Sequence, residues 1–337
     1  MSYCLLVYVY YNKPIFKSRE SLIYSRGSLG KVNKTEEEIQ QSGNSLSHVK
    51  NPKEVLEFVH GQCEKYRHRT VEKPPGKIKE PRLLMLPTNW REHPILYSSN
   101  PKTGSTSMKR YFKRLQGDTR PYSEIKHVHL NEGYCHMTCL KREVSRRTGS
   151  KSPDLGEILQ ELDLYTVGFV RNPLVRLLSG FRDKIIRQSY EGIRDWILSR
   201  FHNNITSLSS DVDMFGGFIE LLRDGTVEDD HFSPQWKNMK LCTFPYDFLG
   251  QTETTAQQIQ IVQKHINAVQ FEYPVSNNDS FTTGDVHKFW NSVKPGDLEW
   301  AYDYYKWDFV LTGYSRLDNP NFPYLDFDQD FSEIWGL

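Results

Sequence analysis

LYTVGFVRNPLVRLLSGFRDK, residues 164–184, contains a complete passage from strand to helix. Residues 164–170 form one apolar run rich in β-branched and aromatic side chains, which predicts an interior strand. Arg171, Asn172 and Pro173 break the run. Leu174, Leu177, Leu178, Phe181 and Ile185 then recur at helical spacing, with Pro173 in the first turn, where its missing N–H has no partner to lose. A buried strand that turns directly into an apolar helix is half of a crossover unit, and predicts a parallel sheet covered by helices on both faces.

The same pattern occurs upstream. Residues 95–98 predict a short buried strand, and 105–116 the helix after it, with NPKTGSTSMKRYF (100–112) across the turn between them. Further helices are expected over 212–223, ended by Gly225, over 253–269 and over 296–306. No internal repeat is visible. The fold class is therefore α/β, a central parallel sheet flanked by helices.

Ahead of this body the chain is polar, with few periodic apolar positions in KTEEEIQQSGNSLS or VEKPPGKIKEPR, and one short helix expected over 55–66. Residues 1–81 are thus read as an N-terminal segment and stem, and 82–337 as the catalytic domain. The apolar run at residues 3–11 is about half the length that crosses a bilayer. It reads as a buried first strand or as the remainder of a signal-anchor.

At 337 residues, 37% hydrophobic and 25% charged, the composition is that of a folded protein with a substantial core. A net charge of +1 excludes a uniformly basic nucleic-acid binder, though not local basic patches. Five cysteines (Cys4, Cys63, Cys135, Cys139, Cys242) are too few for a disulfide scaffold. Sequons at Asn33, Asn204 and Asn278 suit a lumenal or secreted chain.

Two anion sites are expected. In the first, a strand ends near Ser99, Gly104 turns the chain, and the new helix directs its free N–H groups and positive dipole end at the loop. Lys102, Thr103, Ser105, Thr106 and Ser107 add a cation and hydroxyl donors; plain helix capping by Ser and Thr is the bland alternative. In the second, Arg171 leaves the carboxyl end of a strand, where open α/β sheets hold ligands, and its planar fork suits a phosphate shared with Ser179. The alternative there is an ion pair between Arg171 and Asp183.

These two stretches, PKTGSTSMKR and FVRNPLVRLLSGFRDK, resemble the cofactor motifs of the Golgi carbohydrate sulfotransferases, in the group containing the chondroitin and dermatan 4-O-sulfotransferases and the HNK-1 sulfotransferase. DDHFSPQWKNMKLCTFPYDFLGQTET (229–254) and LEWAYDYYKWDFVLTGY (298–314) are similar to two further blocks of that group, the last to its closing helix and strand. The resemblance implies a P-loop-like sulfotransferase fold and sulfate transfer from 3′-phosphoadenosine 5′-phosphosulfate (PAPS), with no metal required. It implies that Lys102, Thr103, Gly104, Ser105, Thr106 and Ser107 cradle the 5′-phosphosulfate, and that Arg171 and Ser179 hold the 3′-phosphate. A histidine between the two motifs serves as base in related 2-O-sulfotransferases. His127 aligns with it best, His129 comes next, and His231 third, more as a substrate contact, with Arg182 beside it.

His127, His129, Cys135 and Cys139 also allow a zinc reading, but C-x3-C is not the usual knuckle spacing. The basic run Lys141, Arg142, Arg146, Arg147 and Lys151 suits either an anionic polysaccharide or a solvated face. The family further implies a glycan acceptor, no nucleic acid, and a Golgi-lumenal type II membrane protein, for which no anchor is visible here. Pro-Lys-Thr-Gly-Ser-Thr replaces the Pro-Lys-Val-Ala-Cys-Thr of many chondroitin-type members and lies closer to the uronyl 2-O-sulfotransferases. LCTFP replaces Leu-Cys-x-Pro-Cys, so a disulfide partner for Cys242 would be Cys135, Cys139 or Cys63. Competing readings are a P-loop kinase, for which GxxxxGK[ST] is lacking, and a glycan-binding relative without turnover.

Overall fold

The computed structural model describes residues 50–70, 80–125, 134–187, 211–274 and 283–337. The run at residues 3–11, the three sequons, His127 and His129 lie outside these.

In chain order the elements that matter are α1 (Pro52–Lys65), β1 (Leu84–Pro87), β2 (Ile95–Ser98), α2 (Ser105–Leu115), β3 (Tyr134–Cys135), α3 (Met137–Thr148), α4 (Leu155–Glu161), β4 (Tyr165–Val170) and α5 (Pro173–Phe181). They continue with α6 (Asp211–Arg223), α7 (Gln235–Met239), β5 (Phe248–Gln251), α8 (Thr255–His265), α9 (Thr283–Trp290), α10 (Pro295–Tyr304), α11 (Lys306–Thr312) and α12 (Phe331–Trp335). The sheet runs β3-β1-β2-β4-β5. Its centre is parallel, with Ile95 opposite Tyr165 and Val167 opposite Phe248. The central parallel sheet is as expected, while β1 pairs antiparallel with both β2 and β3, so the sheet is mixed at that edge. The chain can reverse there because only seven residues, 88–94, join β1 to β2, too few for a helical crossover.

Alternation along the strands sets the layers. Ile95, Tyr97, Val167, Phe169 and Phe248 point to one face, where Met108, Tyr111 and Phe112 of α2 and Ile259 and Val262 of α8 cover them. Leu96, Val170 and Leu249 point to the other, packed with α1, α5, α6, α10 and α11. Each fully buried apolar side chain of this kind contributes roughly 1.5–3 kcal/mol. Because α2 and α5 leave adjacent parallel strands toward opposite faces, a crevice opens between the carboxyl ends of β2 and β4.

Three boundaries differ from expectation. The helix after β4 ends at Phe181 and continues as a π-helical turn, Arg182–Ile186, so Ile185 stays buried on a widened turn. The helix expected over 253–269 is shorter, with a 3₁₀ turn at Thr252–Thr254 ahead of α8. The closing helix and strand implied by the resemblance are instead two helices, α10 and α11, with Tyr314 in a lone bridge to Leu325. DFVLT is buried throughout, and an apolar run of that length carries no periodicity that separates strand from interior helix.

α1 lies in the segment read as stem. It is capped by an Asn51–Glu54 box, with Pro52 in its first turn, and buries Val55, Leu56, Val59 and Cys63. Cys63 forms a disulfide with Cys242, the partner taken from the three candidates. Cys139 is also disulfide-bonded, which removes its thiolate from the zinc reading. No group of residues suited to a metal occurs among the described residues, and no helix among them is long and apolar enough to cross a membrane.

Candidate active site

The loop after β2 turns sharply, with Lys102 (φ 69°) and Gly104 (φ 84°) both in the left-handed region. Gly104 occupies the N-cap of α2, and no side chain caps that helix. Ser105, Thr106 and Ser107 are therefore the first helical residues rather than caps. They are half-buried, their first-turn amides point into the loop, and no acidic residue shares that turn. Thr103 is buried, and its hydroxyl donates to the Asn100 carbonyl at 2.9 Å, so it braces the loop from inside.

Arg171 reaches this loop from the end of β4. Its Nη1 donates to the Lys102 carbonyl at 3.0 Å, while its Nε is buried with no hydrogen-bond partner among the described residues. An orphaned guanidinium N–H is costly unless something else satisfies it. Gln235 fixes the Arg171 backbone on both sides, accepting from its N–H (3.1 Å) and donating to its carbonyl (2.7 Å). Behind it the partly buried Glu253 accepts from Asn172 N (3.0 Å) and Tyr314 Oη (2.7 Å). Burial pushes the Glu253 carboxyl up, and the nearby Arg171 pulls it back down.

α5 is buried along its whole length except at Ser179. The expected phosphate ligand is thus the one residue of that helix that is only partly buried. Lys102 Nζ lies 3.0 Å from Asp183, on the π-helical turn. Asp183 therefore carries an ion pair to Lys102, whereas the alternative reading of the sequence had paired it with Arg171. Burial lowers the Lys102 ammonium pKa; Asp183 opposes this, and Arg171 and Lys184 add to it. Arg182 is half-buried at the junction of α5 and that turn.

Arg176 was not anticipated. It is fully buried on α5, and its guanidinium donates to three backbone carbonyls: Pro101 (3.0 Å), Ser233 (2.7 Å) and Asp230 (3.0 Å). One side chain thereby ties the loop after β2 to the turn containing His231. The available signal was an arginine inside an otherwise apolar helix, because a buried arginine requires partners. His231 is clamped by Asp229, whose Oδ1 accepts its backbone N–H at 2.7 Å and also contacts Nδ1. Burial lowers the imidazole pKa; Asp229 opposes this, and Lys184 and Lys102 push it lower.

The structure brings together the loop residues 102–107, Arg171 and His231. A strand end, an uncapped helix start and an arginine whose Nε has no partner among the described residues thus meet at the carboxyl ends of the parallel strands β2 and β4, an arrangement suited to an anion. Residues 90–315 match the Sulfotransferase family, and the chain belongs to it. Among its relatives it is 29% identical to carbohydrate sulfotransferase 12 of Xenopus laevis, over 67% of this chain and 59% of that protein. It is 26% identical to carbohydrate sulfotransferase 8 of Homo sapiens, over 66% and 54% respectively. To carbohydrate sulfotransferase 10 of Danio rerio it is 24% identical, over 67% and 65%. The chain spans 59% of the length of the first of these relatives. No solved structure matches it.

Proposed function

We propose that this protein is a carbohydrate sulfotransferase that moves sulfate from PAPS to a hydroxyl of a glycan, of the chondroitin or dermatan glycosaminoglycan class. The observation that carries the reading is Arg171, with its Nε buried and unpartnered and its Nη1 on the donor loop. The residues present fit the donor: a buried guanidinium Nε without a partner among the described residues and an uncapped helix start both call for an anion, and left-handed Gly104 keeps the loop free of a side chain there. When bound, PAPS supplies an activated sulfuryl group on a phosphate leaving group.

Lys102, Thr103, Gly104, Ser105, Thr106 and Ser107 hold the phosphosulfate, with Lys102 countering charge on the bridging oxygen. Arg171 and Ser179 hold the 3′-phosphate. His127 and His129 are the candidates for base that the resemblance implies, and His231 and Arg182 face the acceptor. Residues 82–337 are taken as the catalytic body, with α1 of the preceding segment packed on it. A Golgi-lumenal setting, with membrane attachment and glycosylation, is inferred from the family.

Isothermal titration with 3′-phosphoadenosine 5′-phosphate tests the donor site. Binding by wild type, weakened about 100-fold or more in Arg171→Ala, is expected for a lost charge-assisted, bidentate contact. Absent wild-type binding, or unchanged affinity in the variant, refutes the reading.

A further inference from the structure

We propose that His231, oriented by Asp229, accepts the proton of the acceptor hydroxyl, and that Asp229 is its positioning residue. The inference rests on the sulfate-transfer reading above. As the hydroxyl oxygen forms the new S–O bond, the bond from sulfur to the bridging phosphate oxygen breaks, and that oxygen keeps the electron pair. The hydroxyl proton passes to Nε2 of His231.

Three observations converge on this residue. First, Asp229 Oδ1 holds both the backbone N–H and the Nδ1 of His231, which fixes the ring and selects the tautomer with the proton on Nδ1. Nε2 is then the lone-pair nitrogen, and it makes no hydrogen bond among the described residues. The side chain is 28% exposed, so a substrate hydroxyl can reach it. Second, the turn carrying His231 is not a free loop. Arg176 fastens it by the carbonyls of Asp230 and Ser233 to Pro101 of the donor loop, and Gly180 lets α5 press against it, since a Cβ there would lie 2.9 Å from the Phe232 ring. Third, burial is the main influence on the imidazole and lowers its pKa, which favours a neutral ring. Asp229 from its own turn favours the charged form, while Lys102 from the donor loop and Lys184 from the π-helical turn oppose it, and Asp183 pairs with Lys102. A base must be neutral before it can take a proton.

The test compares wild type, His231→Asn, Asp229→Asn and His127→Ala in transfer from labelled PAPS to desulfated chondroitin. Asn at 231 keeps an N–H that can donate to Asp229, so the turn is retained. His231→Asn should lower kcat about 100-fold or more, with affinity for 3′-phosphoadenosine 5′-phosphate within about twofold of wild type. Asp229→Asn should move the acid limb of the pH–rate profile to lower pH, because the carboxylate that raises the imidazole pKa is gone. ¹⁵N NMR of the wild-type protein should show the Nδ1–H tautomer at neutral pH, whatever the acceptor. A wild-type kcat in His231→Asn, or an Nε2–H tautomer, overturns the inference. If His127→Ala alone abolishes transfer, the base falls to that residue while sulfate transfer stands. Failure of wild type to bind 3′-phosphoadenosine 5′-phosphate instead removes the donor reading on which both depend.

Discussion

Gly180 is where α5 and the turn bearing His231 come closest. A Cβ on it would meet the Phe232 ring at 2.9 Å and the His231 carbonyl at 3.2 Å. The carbonyl belongs to a backbone that Arg176, one turn earlier on α5, holds at Asp230 and Ser233, so the turn cannot yield freely. Gly180→Ala should therefore destabilise the protein by about 1–3 kcal/mol through overpacking and lower the sulfate-transfer rate, as read by urea unfolding and turnover. Unfolding like wild type would mean that the turn gives way. At this scale the sequence pointed to Lys102, Gly104, Arg171 and Ser179, because strand ends, glycines and lone basic residues at breaks are local signals. It did not point to Arg176, Gln235 or Glu253, whose roles depend on segments far away in the chain.

The short helices α7 and α11 lock together through one carboxylate. Asp308 is fully buried and accepts the Gln235 N–H at 2.9 Å and the Trp236 N–H at 2.8 Å, satisfying two first-turn amides of α7. Gln235 in turn grips the Arg171 backbone, so the cap on α7 lies one step behind Arg171. Burial pushes the Asp308 carboxyl up to about 6 from an ordinary 3.8, against the pull of Arg176 and the two amides. Between those values the folded state holds a proton that the unfolded state has released, so this group's contribution to stability falls as pH rises from about 3.8 to about 6. In urea unfolding across that range, the stability of wild type relative to Asp308→Asn should decline with rising pH. A pH-independent difference would rule out the raised carboxyl. The strand expected in place of α11 was misread for a related reason: only the tertiary partner at Gln235 shows why an aspartate begins that apolar run.

Over the whole molecule, α1 is bound to the body by both packing and covalent linkage. Its Val55, Leu56 and Val59 enter the larger core, and Gln251 and Gln258 both donate to the Lys50 carbonyl just ahead of it. The Cys63–Cys242 disulfide spans 179 residues of sequence. Closing so long a loop restricts the unfolded chain strongly, and Cys63→Ser with Cys242→Ser should cost about 2–5 kcal/mol, measured as a fall in Tm. An unchanged Tm would assign the attachment of α1 to packing alone.

The sequence by itself determined the α/β class, the β2 and β4 strands, the helices after them, and the two stretches, 100–112 and 170–184, proposed to bind anions. Each of those rests on residues within a turn or two of one another, where periodicity, proline and glycine act locally. Only the tertiary structure decided the antiparallel edge of β1, the pairing of Cys63 with Cys242, the ion pair of Lys102 with Asp183, and the placing of His231 beside the donor loop. Those features depend on burial and on contacts between distant segments. A buried guanidinium such as Arg176 bonds whichever carbonyls the fold brings to it, and no pattern along the chain records which those will be.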